Sequence, residues 1–307
     1  MQRPRGPAPV PVSRLPATAG VYRFRDGNGR ALYVGRAVDL RRRVGSYWGS
    51  LGDRPRLARM VAQIARIEAV SCASAHEAAW LERNLLERRM PRWNRAVGGA
   101  EVPVYIRLRC DARSATLGVV HRAAEADGGR LFGPYLGGNQ VRLAVSGLER
   151  VVSLAYAADR QGGFARDMAR IRGVDPTDRE QMIEEVIAVL EGRPAAVQSV
   201  REALLARRGA ASGADAYELA ARIQAEIEAL DWVVGEQRVT RPGGGDADVH
   251  AWAGGILVSF EIRDGRMMSW SQTAVSEASA HDRVAATPAD WVEFAQRNAA
   301  LAARLAG

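Results

Sequence analysis

The stretch GVYRFRDGNGRALYVG, Gly20 to Gly35, decides how the first hundred residues are read. Two short runs rich in Val, Tyr, Phe and Leu flank Asp26-Gly27-Asn28-Gly29, the composition of a β-hairpin turn. With the turn centred on Gly27-Asn28, Tyr22 is expected directly across from Tyr33. Any even-length loop keeps the two phenols on one sheet face, because side chains alternate with period two, and an odd loop separates them. A cross-strand tyrosine pair is most often packing. Its meaning therefore depends on what the chain places around it.

Working outward, AVDLRRRVGSYW puts Leu40, Val44, Tyr47 and Trp48 on one helical stripe behind a candidate Asp39 cap. RPRLARMVAQIARI places Leu57, Met60, Val61, Ile64 and Ile67 at helical spacing, and EAVSCA reads as a short strand. SAHEAAWLERNLLERRMP opens with a Ser74–Glu77 capping box and stops before Pro91. The order β-β-α-α-β-α predicts a small α/β (α+β) unit, a short sheet flanked by helices. Beyond it lies a mixed, more strand-like region with a turn-rich LFGPYLGG. Helices are expected over 176–192 and 215–231, the latter in a helical pair starting near Ser199. RPGGGDAD at 241–248 reads as a flexible joint, Asp264-Gly265 as a hairpin turn, and 288–305 as a closing helix.

The 307 residues carry a net charge of +8, unevenly spread. Residues 1–100 hold 19 Arg against 7 acids, whereas the remainder holds 24 Arg against 28. A basic patch in the first hundred residues attracts a polyanion through phosphate contacts and counterion release, which points to nucleic acid. All 43 cationic residues are Arg. That rules out a Walker A loop and a lysine Schiff base. No apolar run reaches the roughly 18 residues of a membrane span, and the N-terminus lacks a signal-peptide core, so no membrane is expected. Cys72 and Cys110 are too few for a disulfide framework or a cysteine metal cluster, and His76, His121, His250 and His281 lack metal spacing.

Cations crowd the hairpin. Gly35 is followed by Arg36, and Arg41, Arg42 and Arg43 lie on the next helix. Two helices later Glu82 shares a face with Ala78, Leu81 and Leu85, where a carboxylate is costly unless something satisfies it. A paired arginine or a bound metal would each do so, and the residues alone leave both open.

GVY and YVG, followed by GRAVDLRRRVGSYW, EAAWLERNLLERRMPRWN and FGPY, resemble the GIY-YIG nuclease domain of the UvrC excision-repair family and its short Cho-like form. The likeness covers roughly residues 15–98 and continues more weakly to about 160. It implies a Pro-rich leader over 1–14, a GIY-YIG domain over 15–98, a UvrC-like middle region over 99–198, a UVR-like helical hairpin over 199–240, and over 241–307 a truncated segment resembling the start of an RNase H-like domain. The Pro-rich start also resembles an interdomain linker, as in the nuclease half of an exonuclease fusion.

The resemblance implies catalytic roles for Tyr22, Tyr33, Arg36, Arg43, Tyr47 and Asn94, and one Mg²⁺ or Mn²⁺ on Glu82. Arg36 stands where the family has lysine; it keeps the cation but does not give up a proton. The phenols, of ordinary pKa near 10, are expected to be lowered by Arg36, Arg43 and the metal. Arg41, Arg42, Arg54, Arg56 and Arg59 are the expected DNA contacts. Around 158–175, where some relatives carry iron–sulfur cysteines, this chain has none, so no iron–sulfur cluster is expected. The implied activity is a metal-dependent DNA endonuclease making one incision, on the 3′ side of lesions in double-stranded DNA, recruited by a UvrB-type helicase subunit through 199–240 in a cytoplasmic, nucleoid-associated setting. A second reading, a catalytically weak or inactive DNA-binding adaptor in a repair complex, stays open if Arg36 cannot replace lysine.

Overall fold

The computed structural model describes residues 12–49, 55–95, 102–111, 114–121, 129–157, 163–172, 175 and 178–307. Arg54 and the leader as far as residue 11 lie outside the described residues. Two compact units are present, one joining residues 1–100 with 236–307 and one comprising 101–235.

In the first unit the expected order holds: β1 (Gly20–Arg25), β2 (Ala31–Ala37), α1 (Leu40–Gly45), α2 (Pro55–Val61), β3 (Arg66–Ser71) and α3 (Ala75–Arg88). The sheet is antiparallel with β1 in the centre, order β2-β1-β3. The hairpin register differs from the sequence expectation. Tyr22 faces Gly35, and Tyr33 faces Phe24. The loop is odd, closed by Asp26 N–H donating to the Arg30 carbonyl at 3.0 Å, with Gly29 at φ +75°. The Asp26 carboxylate accepts from the amides of Asn28 and Arg30, which holds the turn. A bulge between the Phe24–Tyr33 and Arg25–Ala31 pairs then inserts one residue into β2. The odd loop and the bulge offset one another, so both tyrosines return to the same face as diagonal neighbours.

Asp39 caps α1 through the Arg42 amide as the sequence predicts, and Ser74 caps α3 through the Glu77 amide. The Glu77 carboxylate reaches further than a simple capping box. It accepts from Ala73 N–H at 2.7 Å and from Arg238 N–H at 2.9 Å.

That second bond belongs to the returning segment, which forms β7 (Ala247–Ala253), β8 (Ile256–Arg263), β9 (Arg266–Ala274), α9 (Glu277–Ala285) and α10 (Val292–Ala306), with sheet order β7-β8-β9. Residues 241–248, expected to be a flexible joint, are fixed. Arg241 N–H donates to the Gly265 carbonyl and Gly265 N–H to that of Gly245, across the Asp264-Gly265 turn. A methyl group on Gly265 would meet the Arg241 carbonyl at 2.1 Å, so the close approach demands glycine there. The segment also grips α3: buried Asn84 donates to Thr240 Oγ1 at 2.9 Å and accepts from Arg266 at 2.8 Å.

The second unit holds a sheet of β4 (Val104–Cys110), β5 (Ala115–Val120) and β6 (Arg130–Tyr135), order β5-β4-β6. Helices α4 (Gly138–Val152), α5 (Gly163–Arg172), α6 (Arg179–Leu190), α7 (Pro194–Gly213) and α8 (Tyr217–Val233) follow. The helical pair is α7 and α8, beginning five residues before Ser199, and its inner residues Val200, Leu204, Ile223, Ile227 and Leu230 are spent on this unit's own core. Among the described residues no helix is long and apolar enough to cross a membrane.

Candidate active site

The hairpin, α1 and the turn after it bring three phenols together. Tyr22 and Tyr33 ring centres lie 6.1 Å apart, Tyr22 and Tyr47 5.9 Å, and Tyr33 and Tyr47 6.3 Å, with Phe24 and Trp48 closing the cluster. The Tyr22 and Tyr47 hydroxyls share a hydrogen bond of 2.7 Å. Gly35 explains itself here. A Cβ at this position would stand 2.6 Å from the Tyr22 hydroxyl and 2.7 Å from the Tyr33 ring. Opposite Tyr22, the strand must carry no side chain. Gly20 is constrained in the same way by the Val70 carbonyl, 2.2 Å from where its Cβ would be, and by Leu40.

Arg43 lies over the Tyr47 ring, 5.3 Å from its centre, and the phenols around it, Tyr22 foremost, raise its pKa, so it stays a cation. Burial is the largest influence on the phenols themselves. It pushes Tyr22 well above 10 and Tyr33 up to about 12, reinforced in each case by the neighbouring Tyr47. For Tyr33 the Glu82 charge adds to the rise. Arg43 opposes these influences without outweighing them, so the expected lowering by arginines is not met by these side chains.

Arg36 alternates to the opposite face from Tyr33 and Gly35, and its Nε lies 3.4 Å from a Glu82 carboxylate oxygen. Glu82 keeps 11% of its side chain exposed on α3. Among the described residues no three His, Cys, Asp or Glu side chains converge on one point. A cation on Glu82 would thus have fewer than three such side chains among the described residues, with water and substrate oxygens completing its shell. That donor set suits a hard, strongly hydrated ion such as Mg²⁺.

Asn94 stands apart from this cluster. Its side-chain amide donates to the Val34 carbonyl at 2.8 Å and accepts from the Val34 amide at 3.0 Å, while Trp93 N–H donates to the Leu32 carbonyl. It secures the outer edge of β2 just beyond Tyr33. Of the expected DNA contacts, Arg41 is tied by Nε to the Leu15 carbonyl, Arg42 and Arg59 are exposed, and Arg56 stacks over Trp93 at 5.7 Å. The sequence reading passed over Trp93, although an indole set between Arg92 and Arg56 in a basic patch is a signal in itself.

These elements define a small nuclease-class domain of the GIY-YIG type. Residues 18–95 match the family described as the UvrC-like GIY-YIG domain, and that segment is such a domain. The chain as a whole is similar to UvrABC system protein C of Desulforudis audaxviator, 32% identical over 275 residues, covering 84% of this chain and 43% of the relative. The same protein of Sphingopyxis alaskensis is 33% identical over 273 residues, with 83% and 41% covered. Each span is longer than either compact unit, so the likeness takes in parts of both. The chain spans about two-fifths of the length of these relatives. A crystal structure of the GIY-YIG N-terminal endonuclease domain of UvrC from Thermotoga maritima, bound to magnesium, is 27% identical, covering 27% of this chain and 91% of that one. Its TM-score is 0.25, too low to carry a structural argument.

Proposed function

We propose that this chain is a metal-dependent DNA endonuclease of nucleotide excision repair, hydrolysing one phosphodiester bond on the 3′ side of a lesion. The observation that carries the reading is the gathering of Tyr22, Tyr33, Tyr47 and Arg43 around one point, with Glu82 near enough to raise the Tyr33 pKa.

In-line hydrolysis needs a nucleophilic water, neutralisation of the phosphoryl oxygens and help for the leaving oxygen. Tyr33, less buried than Tyr22, is the phenol placed to take the proton from water. Its pKa of about 12 leaves it overwhelmingly protonated at pH 7. Arg43, held cationic, is suited to the phosphoryl charge. Glu82 would hold a divalent ion, Mg²⁺ or Mn²⁺, whose chemistry when bound is Lewis-acid neutralisation of phosphoryl oxygens. Arg36 neutralises Glu82 when no ion does. Asn94 acts through the β2 backbone and is a positioning residue.

Recruitment by a UvrB-type subunit through 199–240 would have to use the outward side of the helical pair, where Tyr217 is 65% exposed and Leu219 42%. The adaptor reading is favoured by one observation, the Arg36 guanidinium set against the carboxylate that should hold the ion. Metal titration separates the two, because an adaptor binds DNA equally well in EDTA and never nicks it.

The deciding assay is nicking of a lesion-bearing duplex with Mg²⁺ or Mn²⁺, with and without a UvrB-type protein. One incision 3′ to the lesion, lost in Glu82→Ala, is expected. A Glu82→Ala protein that cuts as well as wild type overturns the proposal.

A further inference from the structure

The first unit contains a cavity of about 520 Å³ that the nuclease chemistry does not use. Its walls come from the hairpin, the end of α3 with the turn after it, and Met268–Trp270 of β9. Five arginines line it, and they divide into two kinds. Arg23 is held by Glu68 and the Trp270 carbonyl, and Arg88 by Glu261, so both are structural. Arg30, Arg89 and Arg92 are exposed and meet no carboxylate among the described residues. The one acid in the lining among the described residues, Asp26, is engaged with the amides of its own turn.

Three unneutralised guanidinium groups at one cavity call for anions spaced along a ligand. The wall beside them is apolar, with Leu32, Leu85 and Met268. A bare polyanion has no use for that wall, and a paired duplex keeps its bases stacked and cannot fill it. A base turned out of a strand, carrying a phosphate on either side, supplies both halves, and the volume lies in the range of ligand pockets. We infer that this cavity binds a nucleotide of an unpaired DNA strand, its base against the Leu32–Leu85–Met268 wall and its flanking phosphates on Arg30, Arg89 and Arg92. The site is separate from Glu82 and needs no metal; the choice of DNA over RNA alone rests on the proposed function, and binding in EDTA reads the site whether or not the chain cuts.

Fluorescence anisotropy on the full chain in EDTA tests this, using labelled dT8 and an eight-unit tetrahydrofuran phosphate backbone that lacks every base. The Arg30→Gln/Arg89→Gln/Arg92→Gln protein should bind dT8 at least about tenfold more weakly than wild type, with the slope of log K against log[NaCl] reduced by about 2, at roughly 0.7 per phosphate. Arg283→Gln/Arg297→Gln/Arg304→Gln, which removes the same charge from α9 and α10, should change affinity less than about threefold. Wild type should favour dT8 over the base-free backbone by about fivefold or more, the lower end of one stacked base. Equal losses in the two triple variants, equal binding of dT8 and the base-free backbone, or no binding of dT8 overturns the inference. Displacement of dT8 by micromolar thymidine monophosphate assigns the cavity to free nucleotides and likewise overturns it.

Discussion

Two carboxylates of the first unit, Glu68 and Glu82, pose the same physical problem and receive different answers. Glu68, 1% exposed on β3, sits directly across from Arg23 and is enclosed by three guanidinium groups, Arg23 at 2.6 Å, Arg25 at 2.8 Å and Arg66 at 2.9 Å. Glu82, 9% exposed on α3, meets Arg36 at 3.4 Å and retains a solvent edge. Burial alone does not distinguish a structural carboxylate from a chemical one. The closeness of the cations and the solvent edge do, because a carboxylate 1% exposed with three guanidinium groups within 2.9 Å leaves a metal or a substrate no approach.

The largest expected effects test this contrast from both sides. Glu82→Gln should lower metal-dependent nicking roughly 10³-fold, the loss of several kcal/mol of transition-state stabilisation, while the unfolding temperature barely moves. Glu68→Gln should do the reverse. It leaves three arginines without their counter-charge and should destabilise the chain by about 3 kcal/mol, read by urea unfolding, while the folded fraction still cuts. The contrast breaks if Glu82→Gln loses as much stability as Glu68→Gln, or if Glu68→Gln abolishes nicking in protein shown to be folded.

A finer test uses the phenol beside Glu82. Burial pushes Tyr33 up to about 12, so its charged form is scarce near neutrality and grows tenfold with each pH unit below that value. With Tyr33 as the base, the single-turnover rate should rise about tenfold per unit between pH 6 and 8. The ion that Glu82 would hold should lower that pKa and bring the plateau to lower pH. Tyr33→Phe should flatten the profile. A slope that persists in Tyr33→Phe moves the base elsewhere, to Tyr22, Tyr47 or a metal-bound water.

Much of this was legible in the sequence. Alternating strand and helix patterns gave the order of the first unit, and the inward side of α3 singled out Glu82. The shared face of Tyr22 and Tyr33 was read correctly from the wrong register, because a three-residue loop and a bulge cancel and local composition does not announce a bulge. The role of Gly35 was hidden for the same reason, since it depends on which tyrosine lies opposite. Least legible was the grip of residues 236–307 on α3. Asn84 looks like any polar helix residue until Thr240 and Arg266, distant in sequence, arrive to satisfy it. The glycine-rich run before β7 read as a joint because glycine permits mobility and close approach alike, and only the contact with Gly265 shows that close approach is what it serves here.

The two outer edges of the β2-β1-β3 sheet extend the comparison to its smallest expected effects. Each edge carries an asparagine making the same paired amide contact, Asn94 with Val34 on β2 and Asn298 of α10 with Ser71 on β3. An unpaired edge costs little in water and more when buried, so the two should not be worth the same. Asn298 is 1% exposed, and alanine there strands the Ser71 amide and carbonyl without solvent, for about 2 kcal/mol. Asn94 is half-buried, water can replace its bonds, and Asn94→Ala should cost about 1 kcal/mol or less. Activity should invert that order. Asn94 holds β2 beside Tyr33, on the Glu82 side of the sheet, so its loss should reduce nicking per folded molecule by roughly tenfold, through kcat rather than KM. Asn298→Ala, at the far edge, should leave nicking by the folded protein within about twofold. If the two variants lose activity in proportion to stability, the edges are equivalent clamps, and Asn94 has no share in positioning the site.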